Sequence, residues 1–434
     1  MKRSLRIIGI TMALAAAFSL SAALVGCGGA PEGYVKESAE NMFWEAEDRI
    51  LEDGTVVPDP EICIYNYAPS IFQEDENTRY AYYCSNRYTI GKTLGENWMD
   101  EQGNQQVTDY IAFRKGVKVD GAWWWSEKKY VLSPITKNGA SNHPYEGQQV
   151  CDPNEIKGEF AYNGHTYSYL MAYLACSTRD NQFNNICLAV ADTPEGPWKR
   201  CEDINPLLKF TTDGMPDSML SSYLWGYGQA SMISLDRKGR VLMFYSAIKP
   251  FETAGSWSHE TQTSIARYDF SDLNNIVRED FCERMNVSGV TNRNAEGEAV
   301  QVTVVTNGDY AYDASTGRIY GITDSGPVFW VENKSAGENA EIGDVFFDYA
   351  REEWSANGIQ WTTIANVRAA DTEHYQNCHN TCLIRDPYGY TLSSETIEAA
   401  ITGAMTAAVL GQLYPGQTNP LWTYRILRKT VSTE

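Results

Sequence analysis

The sequence predicts an all-β protein, and three features of the chain indicate this. Short tyrosine-rich segments recur along it and are bounded by turns of Asp, Asn and Gly. Aromatic residues are abundant, with 27 Tyr, 14 Phe and 12 Trp among 434 residues. Periodic stretches of helical length are confined to the N-terminal region and to residues 394–413. Because 43% of the residues are hydrophobic, the chain can bury a core, which excludes wholesale disorder.

The charge of the chain excludes one class of partner. Acidic residues number 56 and basic residues 35, so the formal net charge is −21. A phosphate backbone is bound by clustered Lys and Arg, and no such cluster occurs beyond the first residues. We therefore expect no nucleic-acid partner, and we interpret the acidic excess as solvated surface.

The N-terminus has the layout of a bacterial export signal. Lys2, Arg3 and Arg6 precede an apolar stretch that ends in Leu24-Val25-Gly26-Cys27. This ending resembles the bacterial lipobox, which implies cleavage before Cys27 and a lipid on its thiol. The alternative is an uncleaved transmembrane helix.

Three regions follow from that interpretation. We expect a signal peptide over residues 1–26, a lipidated tether over 27–58 and the folded domain over 59–434. The predicted location is the outer face of a bacterial cytoplasmic membrane, with the protein exported and anchored through Cys27.

One pattern recurs five times in the folded domain. A polar residue opens a short segment, and an Asp-, Asn- and Gly-rich turn and a tyrosine-rich strand follow. The opening residues are 70 to 86 positions apart, and they are Asn66, Asp152, Gln229, Asp309 and His379. This period suits a four-stranded propeller blade with long connections. The sequence thus predicts a single five-bladed β-propeller, although two β-sandwiches in tandem are an alternative.

Two elements near the C-terminus complete this prediction. Residues 397–413 are interpreted as a short amphipathic helical insertion, since they are too short and too polar to span a membrane. Residues 421–428 are expected to form the closing strand.

The first strands of propeller blades surround a channel, so the five opening residues are predicted to converge on one pocket. Tyr67, Tyr310 and the run Trp123-Trp124-Trp125 could add flat apolar faces. Sugar rings combine such faces with hydroxyl groups, and the pocket is therefore predicted to bind carbohydrate. The alternative is that these polar residues only satisfy strand ends around a water-filled channel.

Several motifs resemble those of the five-bladed propeller glycoside hydrolases of families 43 and 32. They are Ala68-Pro69-Ser70, Asp152-Pro153, and the segments 169–173 and 191–198. The resemblance spans about residues 60–430. It implies an Asp opening blade one, an Asp opening blade two that tunes the catalytic acid, and a Glu opening blade three as that acid. Asp152 matches the second position, whereas Asn66 and Gln229 take the first and third.

Three functions are compatible with this pattern. Glycoside hydrolysis normally needs two carboxyl groups, and Asp152 and Asp309 are the first candidates, with Asp109, Glu155 and Glu159 behind them. The second hypothesis is a non-catalytic glycan-binding lipoprotein, and the third is a phosphate-dependent glycoside phosphorylase. In each case an oligosaccharide is the expected ligand, with the binding residues Asn66, Tyr67, Gln229, Tyr310 and His379.

No cofactor is required by these functions. The family resemblance implies calcium or water in the central channel near a His of the last blade, a position that His379 fits. A His379 bound only to neighbouring backbone is the alternative, because imidazole is a poor calcium ligand. Cys378-His379 and Cys382 lack a second pair of soft ligands, so zinc is not expected. Cys84 lies in an apolar run and is interpreted as a small buried hydrophobe.

Overall fold

The computed structural model describes most of the five repeats. The described residues are 31–38, 41–43, 49–50, 56–57, 65–86, 109–135, 143–178, 181–220, 222–282, 287–288, 291–293, 299–301, 306–323, 338–342, 359–360, 362–366, 375–378, 380–405 and 424–433. The signal peptide, Cys27 and His379 lie outside them, so the predictions made for these residues remain predictions. None of the helices in the described ranges has the length and apolar character needed to cross a bilayer.

The chain begins with short strands and then forms its first two sheets. The short strands are β1 (Val35–Lys36), β2 (Arg49–Ile50) and β3 (Val56–Val57). The first sheet contains β4 (Tyr65–Asp75), β5 (Thr78–Asn86), β6 (Tyr110–Val119) and β7 (Ala122–Trp125), with β8 (Lys129–Leu132) on β6. The second sheet contains β9 (Gln149–Tyr162), β10 (His165–Cys176), β11 (Asn185–Ala191) and β12 (Lys199–Arg200). Successive strands of each sheet pair antiparallel.

The third sheet follows a short helix. That helix is α1 (Asp217–Leu220), and the sheet contains β13 (Tyr227–Ser234), β14 (Arg240–Thr253), β15 (Ser256–Asp269) and β16 (Val277–Cys282). A 3-10 turn, Leu273–Asn275, precedes β16. Short strands then follow: β17 (Val287–Ser288), β18 (Thr291–Arg293) and β19 (Ala299–Gln301).

The last two sheets complete the described chain. The fourth contains β20 (Gly308–Asp313), β21 (Arg318–Thr323), β22 (Glu338–Ile342) and β24 (Thr362–Asn366), while β23 (Ile359–Gln360) pairs with β17. The fifth contains β25 (Tyr375–Cys378), β26 (Cys382–Arg385), β27 (Thr396–Met405) and β28 (Tyr424–Ser432). In it, β27 pairs with β25 and β26 on one side and with β28 on the other.

Local turn chemistry explains where the hairpins reverse. In four sheets an Asp at the end of the first strand accepts a hydrogen bond from the backbone amide two residues on, each at 2.8 Å. These residues are Asp75, Asp236, Asp313 and Asp386. The second sheet turns instead at Asn163-Gly164, where both residues have positive φ (49° and 81°), as a tight hairpin requires. The hairpins read from the sequence are therefore confirmed.

The five sheets form a closed cycle. We call β4, β9, β13, β20 and β26 the first strands of the five sheets, leaving β25 aside; each contacts the next in this order, and β26 contacts β4. The cycle closes through a parallel pairing of β26 with β4, where Ile384 lies opposite Ile71. The all-β prediction is confirmed, and the cyclic order of the sheets agrees with the five repeats. Apolar side chains fill the space between neighbouring sheets.

The predicted helical insertion is wrong over its described part. Residues 396–405 form strand β27, which has hydrogen-bonded neighbours on both sides. Ala399, Ala400 and Ile401 are fully buried there. Pairing on both edges and burial of both faces outweigh the intrinsic helix preference of alanine. The last strand is Tyr424–Ser432, which overlaps the predicted closing strand but ends four residues later.

Residues 31–38 and 41–43, which the sequence assigns to the tether, pack on the folded domain. Strand β1 pairs with β7 at the edge of the first sheet. The Met42 amide donates to the Ile426 carbonyl in the fifth sheet at 2.9 Å. Phe43 is buried, with its ring 4.9 Å from the rings of both Tyr83 and Trp125 in the first sheet. This segment therefore bridges the seam at which the ring of sheets closes.

Charged groups reinforce the same seam. Glu37 accepts a hydrogen bond from Trp125 Nε1 at 2.8 Å and also pairs with Arg428. Arg428 Nη1 donates to Glu398 at 2.7 Å, and Arg79 donates to the other oxygen of Glu398. Burial raises the pKa of Glu37, and Arg428 and Trp125 offset this only in part. The seam thus contains an ion-pair network that links the N-terminal segment to the first and fifth sheets.

Removing Glu37 should weaken this seam. Glu37→Ala leaves the buried Trp125 Nε1 without its acceptor and Arg428 without one carboxylate, so we expect a loss of about 3 kcal/mol in the free energy of unfolding. Glu32→Ala is the matched control, because Glu32 is exposed on the same segment. It should change stability by less than about 0.5 kcal/mol. Urea unfolding would measure both, and equal effects would contradict a bridging role for Glu37.

Candidate functional site

Each of the five first strands contains a residue with left-handed backbone conformation or begins one or two positions after one. These residues are Ala68, Asp152, Gln229, Asn307 and Asn380, with φ between 46° and 54°. The first three lie at bulges, where the pairing with the second strand shifts register. A left-handed conformation costs an L-residue about 1–2 kcal/mol. Its recurrence at one place in every repeat indicates a common local geometry, and such strain often occurs at functional sites.

These five residues converge on one central cavity. They line it together with the residues that follow them, and the cavity volume is about 30 Å³. This space suits one or two water molecules or a single small group. A larger ligand must therefore sit over the mouth of the cavity and reach into it with one group.

In three repeats the left-handed residue at the cavity is not the opening residue that the sequence predicts. Asp152, Gln229 and Asp309 line the cavity. The left-handed residue of the fourth repeat is nevertheless Asn307, two positions before Asp309. In the first repeat it is Ala68, two positions after Asn66, which is buried in β4 away from the cavity lining. In the fifth repeat it is Asn380, next to His379, which lies outside the described residues.

A sequence signal for the first of these shifts was present. Ala68-Pro69-Ser70 and Asp152-Pro153-Asn154 both carry proline after the left-handed residue. Aligned on that proline, Ala68 matches Asp152. The first repeat therefore carries a residue with no ionisable group, Ala68, where the second repeat carries Asp152.

A second set of residues lies two positions further along each first strand and joins neighbouring sheets. Asn154 Oδ1 accepts from the Met232 amide at 2.9 Å. Ser231 Oγ accepts from the Tyr310 amide at 2.9 Å. Asp309 Oδ2 accepts from the Leu383 amide at 2.8 Å. Each side chain thus bonds the backbone of the next first strand.

The same set closes the cycle. In the fifth sheet Cys382 takes this position, and its sulfur faces the amide of Ile71 in the first sheet. In the first sheet Ser70 takes it and faces Glu155 in the second. We call Ser70, Asn154, Ser231, Asp309 and Cys382 the linking residues.

Asp309, predicted to be catalytic, is bound on both oxygens. Besides the Leu383 amide, it accepts from Ser231 Oγ at 2.6 Å and from Asn154 Nδ2 at 3.4 Å. The buried Arg385 guanidinium lies 3.4 Å from the same carboxylate and donates to the Tyr310 carbonyl at 2.6 Å. We interpret Asp309 as a structural anion that balances Arg385.

Asp152 belongs to a chain of polar side chains across three sheets. Its Oδ1 accepts from Asn380 Nδ2 at 3.2 Å, and Asn380 Oδ1 accepts from Gln229 Nε2 at 2.9 Å. Gln229 Oε1 is buried and makes no hydrogen bond to any described residue. A buried acceptor without a partner is costly, and it suits a donor supplied by water or a ligand.

A disulfide lies directly behind Asp152. It joins Cys84 of β5 to Cys151 of β9. Cys84 is buried, as its apolar run indicates, and the structure adds its bond to a second cysteine. The sulfur of Cys84 is 2.9 Å from the Asp152 amide. Cys84, Cys151 and Asp152 are the described group close enough to hold a metal, but disulfide sulfurs are not the thiolates that bind zinc. The linkage instead holds the second sheet to the first beside the cavity.

The predicted aromatic faces lie away from the cavity lining. Tyr310 is buried with its ring 4.0 Å from that of Phe244, and Tyr67 is buried with its hydroxyl 3.3 Å from Asp109 Oδ2. Trp125 is buried behind Phe43, and Trp123 packs under the Arg79 guanidinium at 4.2 Å. These residues support the sheets rather than the cavity wall.

Two of the reserve carboxylates also lie outside the cavity lining. Glu159 is exposed on β9. Glu155 is fully buried, and burial raises its pKa well above the ordinary value, against the opposing effects of Ser70 and Arg385. Glu155 is therefore protonated over part of the pH range in which an exposed Glu is ionised.

The roles of the two aspartates can be separated by stability. Asp309→Ala leaves Arg385 buried without its carboxylate, and we expect a loss of about 3–5 kcal/mol in the free energy of unfolding. Asp152→Ala removes an acceptor at the cavity and should cost about 1 kcal/mol. Denaturant unfolding would compare them. An equal loss in both variants would argue against the structural assignment of Asp309.

Glu155 should make stability depend on pH. The folded state holds its proton above pH 4.5, where the unfolded chain releases it, so stability falls as the pH rises toward the raised pKa. Glu155→Gln mimics the protonated acid, and its stability lacks this dependence on pH. We expect the stability of the native protein relative to the variant to decline as the pH rises above about 4.5, the ordinary pKa of Glu. Urea unfolding at several pH values would test this, and a constant difference would contradict a buried neutral Glu155.

Comparison with known proteins finds distant structural similarity. No family model and no curated protein matches the chain. A family 117 glycoside hydrolase from Zobellia galactanivorans is 13% identical, covers 89% of both chains and has a TM-score of 0.46. An N-acetylgalactosamine deacetylase from F. plautii, in complex with blood group B trisaccharide, is 9% identical, covers 92% of this chain and 95% of its own, and has a TM-score of 0.47.

A third solved structure is a family 43 β-xylosidase/α-arabinofuranosidase from a compost metagenome, in complex with xylotriose. It is 12% identical, covers 85% of this chain and 91% of its own, and has a TM-score of 0.43. At such identities and TM-scores, function has to be argued from the residues of this chain.

Proposed function

We propose that the protein is a carbohydrate-binding lipoprotein built as a five-bladed propeller, in which the mouth of the central cavity recognises a sugar without cleaving it. The observation that carries this proposal is the polar chain Asp152–Asn380–Gln229, which ends in the unpaired acceptor Gln229 Oε1 at the cavity. A hydroxyl group of a ligand would donate to that oxygen.

The composition of the cavity lining supports a neutral polyol ligand. The left-handed residues supply one carboxylate, from Asp152, and three amides, from Gln229, Asn307 and Asn380. Amides both donate and accept, whereas a carboxylate only accepts. This mixture matches hydroxyl groups, which also do both. No lysine or arginine is among the residues that line the described cavity, which disfavours a phosphate co-substrate and hence the phosphorylase hypothesis.

The same residues disfavour hydrolysis. Cleavage of a glycosidic bond needs an acid and a base or nucleophile on opposite sides of it. Ala68 and Gln229 stand where the family resemblance implies these two groups, and neither exchanges a proton at neutral pH. The remaining carboxylate of the described lining besides Asp152 is Asp309, which is bound by Ser231, Asn154 and Arg385.

The proposed anchor would hold the domain near the membrane. Pro31 begins the segment that packs on the first and fifth sheets, and it lies four residues after Cys27. Four extended residues span about 14 Å. A lipid on Cys27 would therefore keep the seam between these sheets close to the bilayer surface.

The test combines binding with turnover. Purified residues 28–434 are applied to an array of neutral oligosaccharides. For each sugar that is retained, calorimetry measures the affinity and the release of reducing ends measures cleavage. We expect binding without release. Gln229→Ala should lower the affinity by about tenfold, through loss of a buried hydrogen-bonding group. Asn77→Ala, in an exposed turn of the first sheet, should leave the affinity unchanged.

Three outcomes would overturn the proposal. Release of sugar that Asp152→Asn abolishes would establish hydrolysis. Release only after addition of inorganic phosphate would establish phosphorolysis. If no sugar on the array binds, the proposal that the protein recognises carbohydrate is wrong.

A further inference from the structure

The longest hairpin in the described part of the chain projects past its own sheet. Strands β14 and β15 pair without interruption from Arg240 opposite Asp269 to Thr253 opposite Ser256. Strand β13 pairs with β14 only as far as Tyr227 opposite Ala247. Six residue pairs therefore extend beyond the sheet, a length of about 20 Å. We call residues 248–261 the projecting hairpin.

The projecting hairpin lies at the cavity end of the third sheet. Gln229 is the third residue of β13, and the hairpin extends past the start of that same strand. It therefore rises beside the mouth of the cavity and not at the opposite end of the ring.

Large apolar side chains are exposed on this hairpin and beside it. Phe251 and Trp257 are 40% and 41% exposed on the hairpin, and Leu220 and Tyr223 are 46% and 48% exposed on the neighbouring segment. Trp257 lies opposite Glu252, so both point to one face, and alternation places Ile248 on that face too. Ile248 packs with Phe210, Met219 and Leu224. Trp257 thus extends a face whose lower part is a packed apolar cluster next to α1.

Trp225 lies between this hairpin face and the cavity. Trp225, which is partly exposed, packs against the cluster of Tyr67, Ala68 and Tyr424 and also against the cluster of Ile248. Its ring is so close to Gly228 that a methyl group there would lie 2.7 Å from it. Gly228 precedes Gln229. Trp225 therefore joins the apolar cluster beneath the hairpin face to the residue that precedes Gln229.

The charges of the projecting hairpin restrict the class of ligand that can bind to it. Lys249 lies opposite Glu260, and Glu252 lies opposite Trp257, so acidic groups outnumber basic ones. Anionic lipid head groups are attracted by clustered basic residues, which are missing from this segment. Aromatic faces with scattered polar groups suit the CH faces and hydroxyls of a neutral sugar chain.

We propose that the projecting hairpin is a second glycan subsite, at which Trp257 stacks on a sugar unit of an oligosaccharide whose end lies at the cavity. This inference rests on the proposed carbohydrate function. It assigns the ligand class as a chain of several sugar units, since Trp257 lies about 20 Å from Gln229 along the strand direction.

The experiment compares long and short ligands. The probes are the neutral oligosaccharides that the intact protein retains on the array, each paired with its own terminal disaccharide. Trp257→Ala should lower the affinity for the long ligand by about tenfold and leave the affinity for the disaccharide unchanged. Trp257→Phe should restore most of the long-ligand affinity. Gln229→Ala should weaken both ligands.

The outcomes separate this inference from the proposed function. If no array sugar binds the intact protein, the proposed function fails. If sugars bind but Trp257→Ala changes the affinities for long and short ligands by the same factor, the hairpin subsite is wrong. The subsite is equally overturned if Trp257→Ala abolishes binding to anionic vesicles, or self-association in sedimentation, without changing long-ligand affinity. Because Trp257 is exposed, its substitution is expected to leave the fold intact, and an unchanged unfolding midpoint would verify this.

Discussion

The hydrogen bonds from the linking residues to the backbone of the next first strand hold the ring of sheets together. Asn154, Ser231 and Asp309 each accept from an amide one repeat away, and parallel pairing of β26 with β4 closes the cycle. First strands of this kind cannot pair with both neighbours along their whole length. Short polar side chains therefore satisfy buried amides that would otherwise be left without partners.

The same constraint explains the shape of the site. A left-handed residue two positions before each linking residue turns the strand at the ring axis, and all five of these residues line one cavity. Asn and Asp tolerate this conformation best, and three of the five positions hold them. Ala68 and Gln229 are less suited to it. Their presence shows that the backbone geometry persists where the side chain carries no acid.

Local chemistry made the all-β class and the hairpins predictable. The turn aspartates act within two residues of their own position, so their pattern can be read directly. Residues 396–405 are the contrary case. Their alanine-rich composition favours a helix in isolation, but strands β26 and β28 pair with both edges. In the first repeat Ala68 and not Asn66 lines the cavity, because the feature that recurs in every repeat is the left-handed backbone conformation and not a polar side chain.

The repeats, their turns and three polar residues of the cavity lining, Asp152, Gln229 and Asp309, can be read from the sequence, because they follow local patterns that recur at a regular spacing. Contacts between sheets decide which acids face the ring axis and which are held by other buried side chains. Asp309 has the same side chain as Asp152, yet Arg385 and two amino-acid side chains from other sheets engage it. Partners that are tens to hundreds of residues apart in the chain meet only when the ring closes, and they decide whether a carboxylate is structural or available to a ligand.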